Sequence, residues 1–458
     1  MASLDRNIIL IALPTIASDL HTSFFTLMWI VLVYWLITAT VLVNFGRLSD
    51  MFGRVKLYNM GFALFTLGSG LCSISQTGEQ LILFRIIQAL GAAFLFSNSA
   101  AIITDTFAEN ERAKALGLNQ MSIVIGSVIG LVFGGFLTSY LGWRSIFWVN
   151  LPIGIFATIW SYTKLRELGT IRKEKIDWPG NITFAGGLCV ILLGVTLTNF
   201  KIINPFEISL SIIGGFSLLI LFIVIEKKVS RPMFDLSLFK IRIFMGGNIA
   251  IFLNALARGA FTLIMSFYLQ GPSMRLNSFD AGIYLIPVSI ALAAFAPLSG
   301  WLYDKYKLRI FTSLGLLVSA IGFLILTDIA VTTSFYEITM PLVMIGAGMG
   351  IFASPNRASI MSSVPPARRG VSASISTTFV MVGNSFSIAL VFLIMTNIIP
   401  LHAAEQLFSG SFQPSSVAIS NSIVGKFLSS IHFVFFVSAV MMLVSIIPSV
   451  IKWNGKMH

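Results

Sequence analysis

Long apolar runs alternate with short polar segments along almost the whole chain. The runs are about 20 residues long, which is the length that a helix needs to cross the hydrocarbon core of a bilayer. We count about fourteen of them between residues 4 and 451, if a shorter first run at 4–20 is included. The pattern predicts an all-α polytopic membrane protein.

The first run is shorter than the others. From Leu4 to Ala17 a helix rises only about 21 Å, whereas the hydrocarbon core is about 30 Å thick. Either the natural start lies upstream and this chain is truncated, which we favour, or the helix is short and held by its neighbours.

Composition excludes a soluble protein. Hydrophobic residues make up 56% of the chain, charged residues only 10%, and the mean hydropathy is +0.90. Ordinary soluble domains carry roughly 25% charged residues. A soluble fold could not bury this much apolar surface, so the lipid bilayer is the expected partner.

The net charge of +12 does not indicate a nucleic-acid partner, because the basic residues lie in short clusters between apolar runs. With the N-terminus inside, the cytoplasmic segments hold a roughly fivefold excess of Lys and Arg over the opposite side. This asymmetry predicts an even number of spans in the cell membrane, with both termini cytoplasmic.

No catalytic or metal-binding pattern is evident. Cys72 and Cys189 lie inside apolar runs, and the four histidines are scattered. We therefore expect no metal, no cofactor and no enzymatic activity. A channel is disfavoured too, because no stretch resembles a selectivity filter.

A five-residue pattern, G-x-L-x-D, occurs twice. It runs from Gly46 to Asp50 after the second apolar run and from Gly300 to Asp304 after the tenth, and basic residues follow both copies. A motif repeated at matching topological positions predicts two related halves, as in many transporters.

The repeat predicts three parts of the chain. Residues 1–165 and 241–458 would each form a six-helix bundle, and 166–240 would hold an inserted transmembrane helix pair between basic cytoplasmic linkers.

The segment 46–56, with the sequence GRLSDMFGRVK, resembles the loop signature of the major facilitator superfamily. Stretches 4–14, 143–154 and 281–287 further resemble the fourteen-helix drug:proton antiporter branch of that family. The resemblance implies a major facilitator fold, with two six-helix bundles that tilt around a shared substrate site. It also implies a conformational gate in the loops, and we assign it to Gly46, Asp50, Gly53 and Arg54, with Gly300 and Asp304 as counterparts.

Two membrane-embedded charges are the candidates for proton coupling. The segment 85–91, RIIQALG, resembles the family motif linked to this role and contains Arg85; the alternative is an interfacial arginine that reaches outward to the membrane surface. Asp5 is the one acidic residue of the spans that is not at an obvious loop or helix end. Burial favours the protonated form of a carboxyl group, so it could load and release a proton. If Met1 is the true start, Asp5 is instead an interfacial residue.

The fifth run resembles the antiporter motif of the branch through its glycines. Leu131 replaces the proline that follows the second glycine in this motif, and this departure weakens the prediction of antiport. We assign close helix packing to Gly126, Gly130, Gly134 and Gly135.

Polar residues inside the spans indicate where a substrate could bind. We assign the candidate substrate cavity to Gln88, Asn150, Asn254 and Arg258, of which the last two lie one helical turn apart on one face. Several arginines against one acid suit a neutral, zwitterionic or anionic amphiphile, or a monocation paired with Asp5, better than a multivalent cation.

Three functions remain open. The first is a monomeric exporter of small amphiphilic compounds or drugs that uses protons as coupling ion. The second is a carrier of a metabolite or lipid-like substrate without proton antiport. The third is a membrane scaffold or sensor without transport, which the retained loop signature at 46–56 disfavours.

Overall fold

The computed structural model describes residues 1–168, 177–199, 204–229, 232–306, 310–331, 333–365, 368–400, 403 and 417–451. All regular secondary structure in these ranges is helical. A helix satisfies its own backbone hydrogen bonds, which is the requirement that lipid imposes on a spanning segment. The predicted fold class is confirmed.

In its described residues the first half of the chain forms nine α-helices, of which the last two lie in the segment predicted to hold an inserted helix pair. Their bounds are α1 Ala2–Leu20, α2 Phe24–Phe52, α3 Arg54–Ser73, α4 Gly78–Thr106, α5 Glu109–Leu141, α6 Ser145–Trp148, α7 Asn150–Lys164, α8 Trp178–Asn199 and α9 Pro205–Lys228.

The second half forms eight more α-helices in the described ranges. They are α10 Arg242–Arg258, α11 Phe261–Gln270, α12 Ser278–Tyr284, α13 Ile286–Tyr306, α14 Ile310–Ile325, α15 Phe335–Ser362, α16 Arg369–Ile398 and α17 Val417–Ile451, with 3-10 turns at Leu236–Lys240 and Leu326–Asp328.

Twelve described helical segments are long and apolar enough to cross a membrane. Three of them join two helices each, namely α6 with α7, α10 with α11, and α12 with α13. Helices α1 and α3 are not among the twelve, since α1 carries Asp5 and Arg6 and α3 begins with Arg54 and includes Lys56. With these two, the described part of the chain contains fourteen long helical segments, the number that the apolar pattern predicts.

Polar caps fix where several helices begin. The Ser23 hydroxyl accepts a hydrogen bond from the backbone N–H of Thr26 at the start of α2, and a reciprocal pair between Ser334 and Glu337 starts α15. Gly53 separates α2 from α3 with a φ of 102°, a backbone conformation that residues other than glycine rarely adopt.

The helices pack into two groups. In the first group α1 packs on α5, and α4 packs on α2 and α3; in the second, α15 packs on α13 and α14, and α10 packs on α16 and α17. The inserted helices α8 and α9 pack on each other, and α8 also contacts α2 and α16.

The two groups touch mainly through α2 with α16, α5 with α12, and α1 with α11. We call the side of the bundle that carries Met1 and Gly53 the near side, and the side that carries His21 and Gly142 the far side. Towards the far side, the Gln270 amide Nε2 donates to the carbonyl of Ile11 at 2.9 Å. There the rings of Phe24 and Phe392 also meet edge to face at 4.6 Å. The two groups are therefore closed against each other towards the far side.

Candidate functional site

Asp5 lies at the centre of a buried polar cluster in the first helix group. Its Oδ2 accepts a hydrogen bond from Arg85 Nη1 at 2.6 Å, and its Oδ1 accepts from Gln88 Nε2 at 2.8 Å and from Asn150 Nδ2 at 3.0 Å. All four residues are at most 1% exposed. The carboxylate thus connects α1, α4 and α7, and the two residues predicted to couple protons form one ion pair.

The partners of Asp5 are held by a second layer of contacts. Arg85 Nη1 also donates to Gln88 Oε1 at 2.6 Å, and Gln88 Nε2 also donates to the Ser69 hydroxyl of α3 at 2.8 Å. The Arg85 guanidinium lies 4.3 Å from the ring centre of Tyr34, in cation–π geometry. Ser69 and Tyr34 are members of the cluster that the sequence does not single out.

Two local features bring this cluster together. Arg85 and Gln88 are three residues apart, so they share one face of α4. Gly68 lets α3 approach that face, because a Cβ at this position would lie 2.6 Å from the backbone nitrogen of Gln88.

A cavity of about 390 Å³ opens towards the near side between the two groups. Arg6, Phe62 and Phe96 line it from the first group, and Arg357 and Met381 from the second. Asp5 is not among its lining residues, but it precedes the lining residue Arg6 in α1. A conformational change of α1 would therefore reach both the ion pair and the cavity.

The four predicted substrate residues lie elsewhere, outside the described lining of this cavity. Gln88 and Asn150 belong to the buried cluster around Asp5. Arg258 Nε donates to Asn254 Oδ1 at 3.0 Å, so the predicted pairing along α10 is present, and Asn254 is buried against Met442 of α17. Gln88, Asn150 and Asn254 are buried among neighbouring helices, whereas Arg258 is half-buried.

Ion pairs connect the predicted gate loop to the neighbouring helix ends. Arg54 Nε donates to Asp50 Oδ1 at 2.7 Å, and its Nη1 donates to both carboxylate oxygens of Asp105 at 2.7 and 2.9 Å. Glu167 Oε2 accepts from the backbone N–H of Val55 at 2.9 Å. The sequence analysis misses Asp105 and Glu167, although Asp105 is an acidic residue at the near-side end of α4.

The remaining gate glycines differ in their surroundings. A Cβ at Gly46 would meet nothing within 4 Å, whereas a Cβ at Gly300 would lie 3.5 Å from Ser354 Cβ of α15. The side chain of Asp304 lies outside the part of the chain that the structure describes, and so does any ion pair that it forms.

The glycines of α5 contact two different helices. A Cβ at Gly130 would lie 2.7 Å from the Leu4 carbonyl oxygen of α1, and one at Gly134 would lie 3.0 Å from Ile8 Cα. Gly126 has more room, with its nearest atom at 3.8 Å. Gly135 instead abuts Ser278 of α12, which belongs to the second group.

Leu131 also lies at this contact between the groups. It is buried, and a Cβ on Gly282 of α12 would lie 2.8 Å from its carbonyl oxygen. The residue that departs from the antiporter motif is thus part of the contact between α5 and α12.

Two packed groups of apolar helices, with a cavity that is open on one side and a buried ion pair beside it, are the arrangement expected of a membrane transporter. The family model described as Major Facilitator Superfamily matches residues 1–388. The chain belongs to this family, which confirms the resemblance seen in the loop signature, and it is a multi-pass membrane transporter rather than an enzyme.

Among curated relatives, the chain is 32% identical over 382 residues to the riboflavin transporter RibZ of Clostridioides difficile (strain 630), covering 82% of each chain. It is 28% identical over 418 residues to Multidrug resistance protein 3 of Bacillus subtilis (strain 168), covering 90% of this chain and 80% of the relative. Among solved structures, a bacterial homolog of the human lysosomal transporter Spinster superposes with a TM-score of 0.69 at 16% identity, covering 99% of this chain and 94% of the other. The last likeness supports the fold alone.

Proposed function

We propose that the protein exports small amphiphilic compounds across the cell membrane by alternating access, with protons as the coupling ion. The observation that carries this proposal is the fully buried Asp5–Arg85 ion pair, one residue away from a side chain that lines the cavity. Multidrug and antibiotic-export proteins among the relatives support the direction and the substrate class.

In this proposal Asp5 carries the proton. The ionised carboxylate accepts hydrogen bonds from three side chains on two other helices. A protonated carboxyl group is neutral and is itself a donor, so it can no longer hold all three partners in the same way. Protonation would then loosen α1 from α4 and α7 and let α1 move.

The moving bodies are proposed to be the bundles of residues 1–165 and 241–458, with 166–240 as the inserted helix pair between them. The cavity is open towards the near side, and the basic gate loop 46–56 lies on that side. Basic residues accumulate on the cytoplasmic side of membrane proteins. We therefore take the near side as cytoplasmic, which makes this an inward-open state of a monomer with both termini inside.

Inverted membrane vesicles provide the test, since export appears there as uptake. Transport of a panel of amphiphilic dyes is measured with an imposed proton gradient, with and without a protonophore. We expect Asp5→Asn to abolish gradient-driven uptake while the protein still inserts and purifies. Asp19→Asn is the matched control, because Asp19 lies on the same helix but forms an exposed ion pair with Arg144 at the far side. Equal gradient-driven uptake by Asp5→Asn and wild type would refute the coupling role.

The second candidate is a metabolite carrier without proton antiport. The riboflavin transporter among the relatives and Leu131 in place of the motif proline favour it. Uptake that is unchanged by the protonophore and by Asp5→Asn would select this carrier. No transport across a wide panel would select the non-transporting scaffold or sensor.

A further inference from the structure

The charged side chains that line the described cavity are all positive. Arg6 of α1 and Arg357 of α15 contribute guanidinium groups, and the described lining residues include no aspartate or glutamate. The nearest acid along the chain, Asp5, is buried and already paired with Arg85. The cavity therefore presents a positive surface that Asp5 does not neutralise.

Neither cavity arginine has a carboxylate partner within the described residues. Arg6 donates weakly to the Ser3 hydroxyl, at 3.4 Å, and Arg357 is exposed to the cavity. A guanidinium keeps its charge at any physiological pH, so its presence at membrane depth requires water or an anion.

Aromatic rings stand next to the charge. The Arg6 guanidinium carbon lies 5.0 Å from the ring centre of Trp35 and 4.9 Å from that of Phe96, and Phe62 and Tyr58 line the same cavity. The rings hold Arg6 in place through cation–π contacts and offer flat apolar surface beside it.

We propose that the cavity selects aromatic organic anions, whose carboxylate, phosphate or sulfonate group binds between the two helix groups at Arg6 and Arg357. Guanidinium groups bind such oxyanions through paired charge-assisted hydrogen bonds. The two arginines come from opposite helix groups, so a bound anion would connect the groups as they close around it. This inference rests on the proposed export function and names its substrate class.

Two xanthene dyes of opposite charge test this selection. Fluorescein is an anion and rhodamine 123 a cation on the same ring system, so charge is the main difference between two ligands of similar shape. Binding to the purified protein is followed by fluorescence anisotropy, and uptake is followed in inverted vesicles. We expect wild type to bind fluorescein at least about tenfold more tightly than rhodamine 123, as one charge-assisted contact would give.

Substitutions then assign the preference to the two arginines. Arg6→Gln and Arg357→Gln should each weaken fluorescein binding about tenfold and leave rhodamine 123 binding unchanged or stronger. Arg357→Glu should reverse the preference, and Arg357→Lys should keep most of it, which shows that the site folds. Arg242→Gln is the matched control, since Arg242 is exposed at the start of α10 outside the cavity lining.

The outcomes separate the two proposals. Export of rhodamine 123 without binding of fluorescein, or glutamine variants that bind both dyes like wild type, would overturn the anion preference and leave export standing. Arginine-dependent binding of fluorescein without uptake of either dye would support the preference and contradict export.

Discussion

Asp5 and Arg85 carry opposite charges at a depth where neither contacts solvent. Removing two ions from water costs several kcal/mol each, and the pair recovers this only when the remaining hydrogen-bonding groups are also satisfied. Gln88 and Asn150 supply those contacts to Asp5, and the Tyr34 ring supports Arg85. The two amides therefore satisfy the hydrogen-bonding capacity of Asp5 Oδ1.

A variant in which one partner of this pair is truncated should be less stable than a variant in which both partners are neutralised. We expect Arg85→Ala to lower the free energy of unfolding by about 3–5 kcal/mol, because Asp5 would remain buried without its counterion. The double variant Asp5→Asn with Arg85→Gln should lose clearly less, since no charge remains. Thermal unfolding of the purified proteins in detergent measures both, and a double variant at least as unstable as Arg85→Ala would contradict this account.

Only part of this cluster can be predicted from the sequence. Helical spacing indicates that Arg85 and Gln88 share a face, and the family resemblance marks Asp5 and Arg85. Neither indicates which helices lie opposite that face. Gln88 and Asn150 are therefore predicted in the cavity, while in the structure they donate to Asp5. Ser69 is one of several small polar residues in α3 and carries no signal of its own.

At the scale of elements, the contact between α1 and α5 depends on which glycine faces α1. Gly130 and Gly126 are one turn apart on the same side of α5. A methyl group at Gly130 would collide with the backbone oxygen of Leu4, whereas at Gly126 it would find ordinary van der Waals contact. Backbone atoms cannot move aside as easily as the end of a flexible side chain.

This difference predicts opposite effects for two identical substitutions. Gly130→Ala should cost about 1–3 kcal/mol through overpacking, and Gly126→Ala should be neutral or stabilising by up to about 1 kcal/mol. Each variant serves as the control of the other in thermal unfolding. Equal losses in stability from both would show that the alanine effect comes from α5 itself and not from its contact with α1.

Polar contacts at the near-side end of α8 and α9, the predicted inserted pair, hold these helices to α2 and to the segments that flank them. Asn181 Nδ2 of α8 donates to the Thr40 carbonyl at 2.5 Å. Glu226 Oε2 of α9 accepts from the backbone N–H of Phe234 at 3.1 Å, and the carboxyl group of Asp177 lies close to that of Glu226. One oxygen of each carboxyl group, Glu226 Oε1 and Asp177 Oδ2, has no donor among the described residues.

Replacing the Glu226 carboxyl group with an amide, which supplies a donor, should stabilise the contacts of α8 and α9. In Glu226→Gln the amide oxygen can keep the bond from Phe234, while the amide nitrogen can donate to Asp177. We expect a gain of about 1 kcal/mol in thermal unfolding. Glu226→Ala is the comparison, since it removes the acceptor of a buried N–H and should cost about 1–3 kcal/mol. A loss of stability in Glu226→Gln would contradict this arrangement.

The apolar pattern predicts the long helical segments but not the positions at which some of them are interrupted. Three expected continuous spans are each two helices, which meet near Val149, Gly259 and Leu285. These breaks depend on packing against other helices. Gly259, for example, abuts Asn384 of α16, and a Cβ there would lie 2.7 Å from the Asn384 Cα.

At the scale of the whole molecule, the described gate contacts join elements of the first half of the chain to one another. Arg54 joins the end of α2 to the end of α4, and Glu167 joins the segment after α7 to the start of α3. The sequence predicts a gate at this loop, but only the structure shows that none of these contacts reaches the second helix group. The contacts between the groups lie instead towards the far side, and these must break if the cavity is to open there.

A covalent link across the far side should therefore stop transport. The hydroxyl oxygens of Thr15 in α1 and Ser278 in α12 are 3.4 Å apart. Cysteines at these positions would therefore bring their sulfur atoms close together, and a small movement of the side chains would bring them to the S–S bond length of about 2.05 Å. In a background with Cys72→Ser and Cys189→Ser, we expect oxidised Thr15→Cys with Ser278→Cys to lose uptake in inverted vesicles and to regain it with a reductant.

The single-cysteine variants control for the substitutions themselves, because neither can form the link. A disulfide in this place holds α1 to α12 and keeps the far side shut, whereas the near side remains free to bind substrate. Dye binding should thus survive oxidation while transport is lost. Full transport by a completely cross-linked protein would mean that the two helix groups do not separate at this contact, and the alternating-access path would have to open elsewhere.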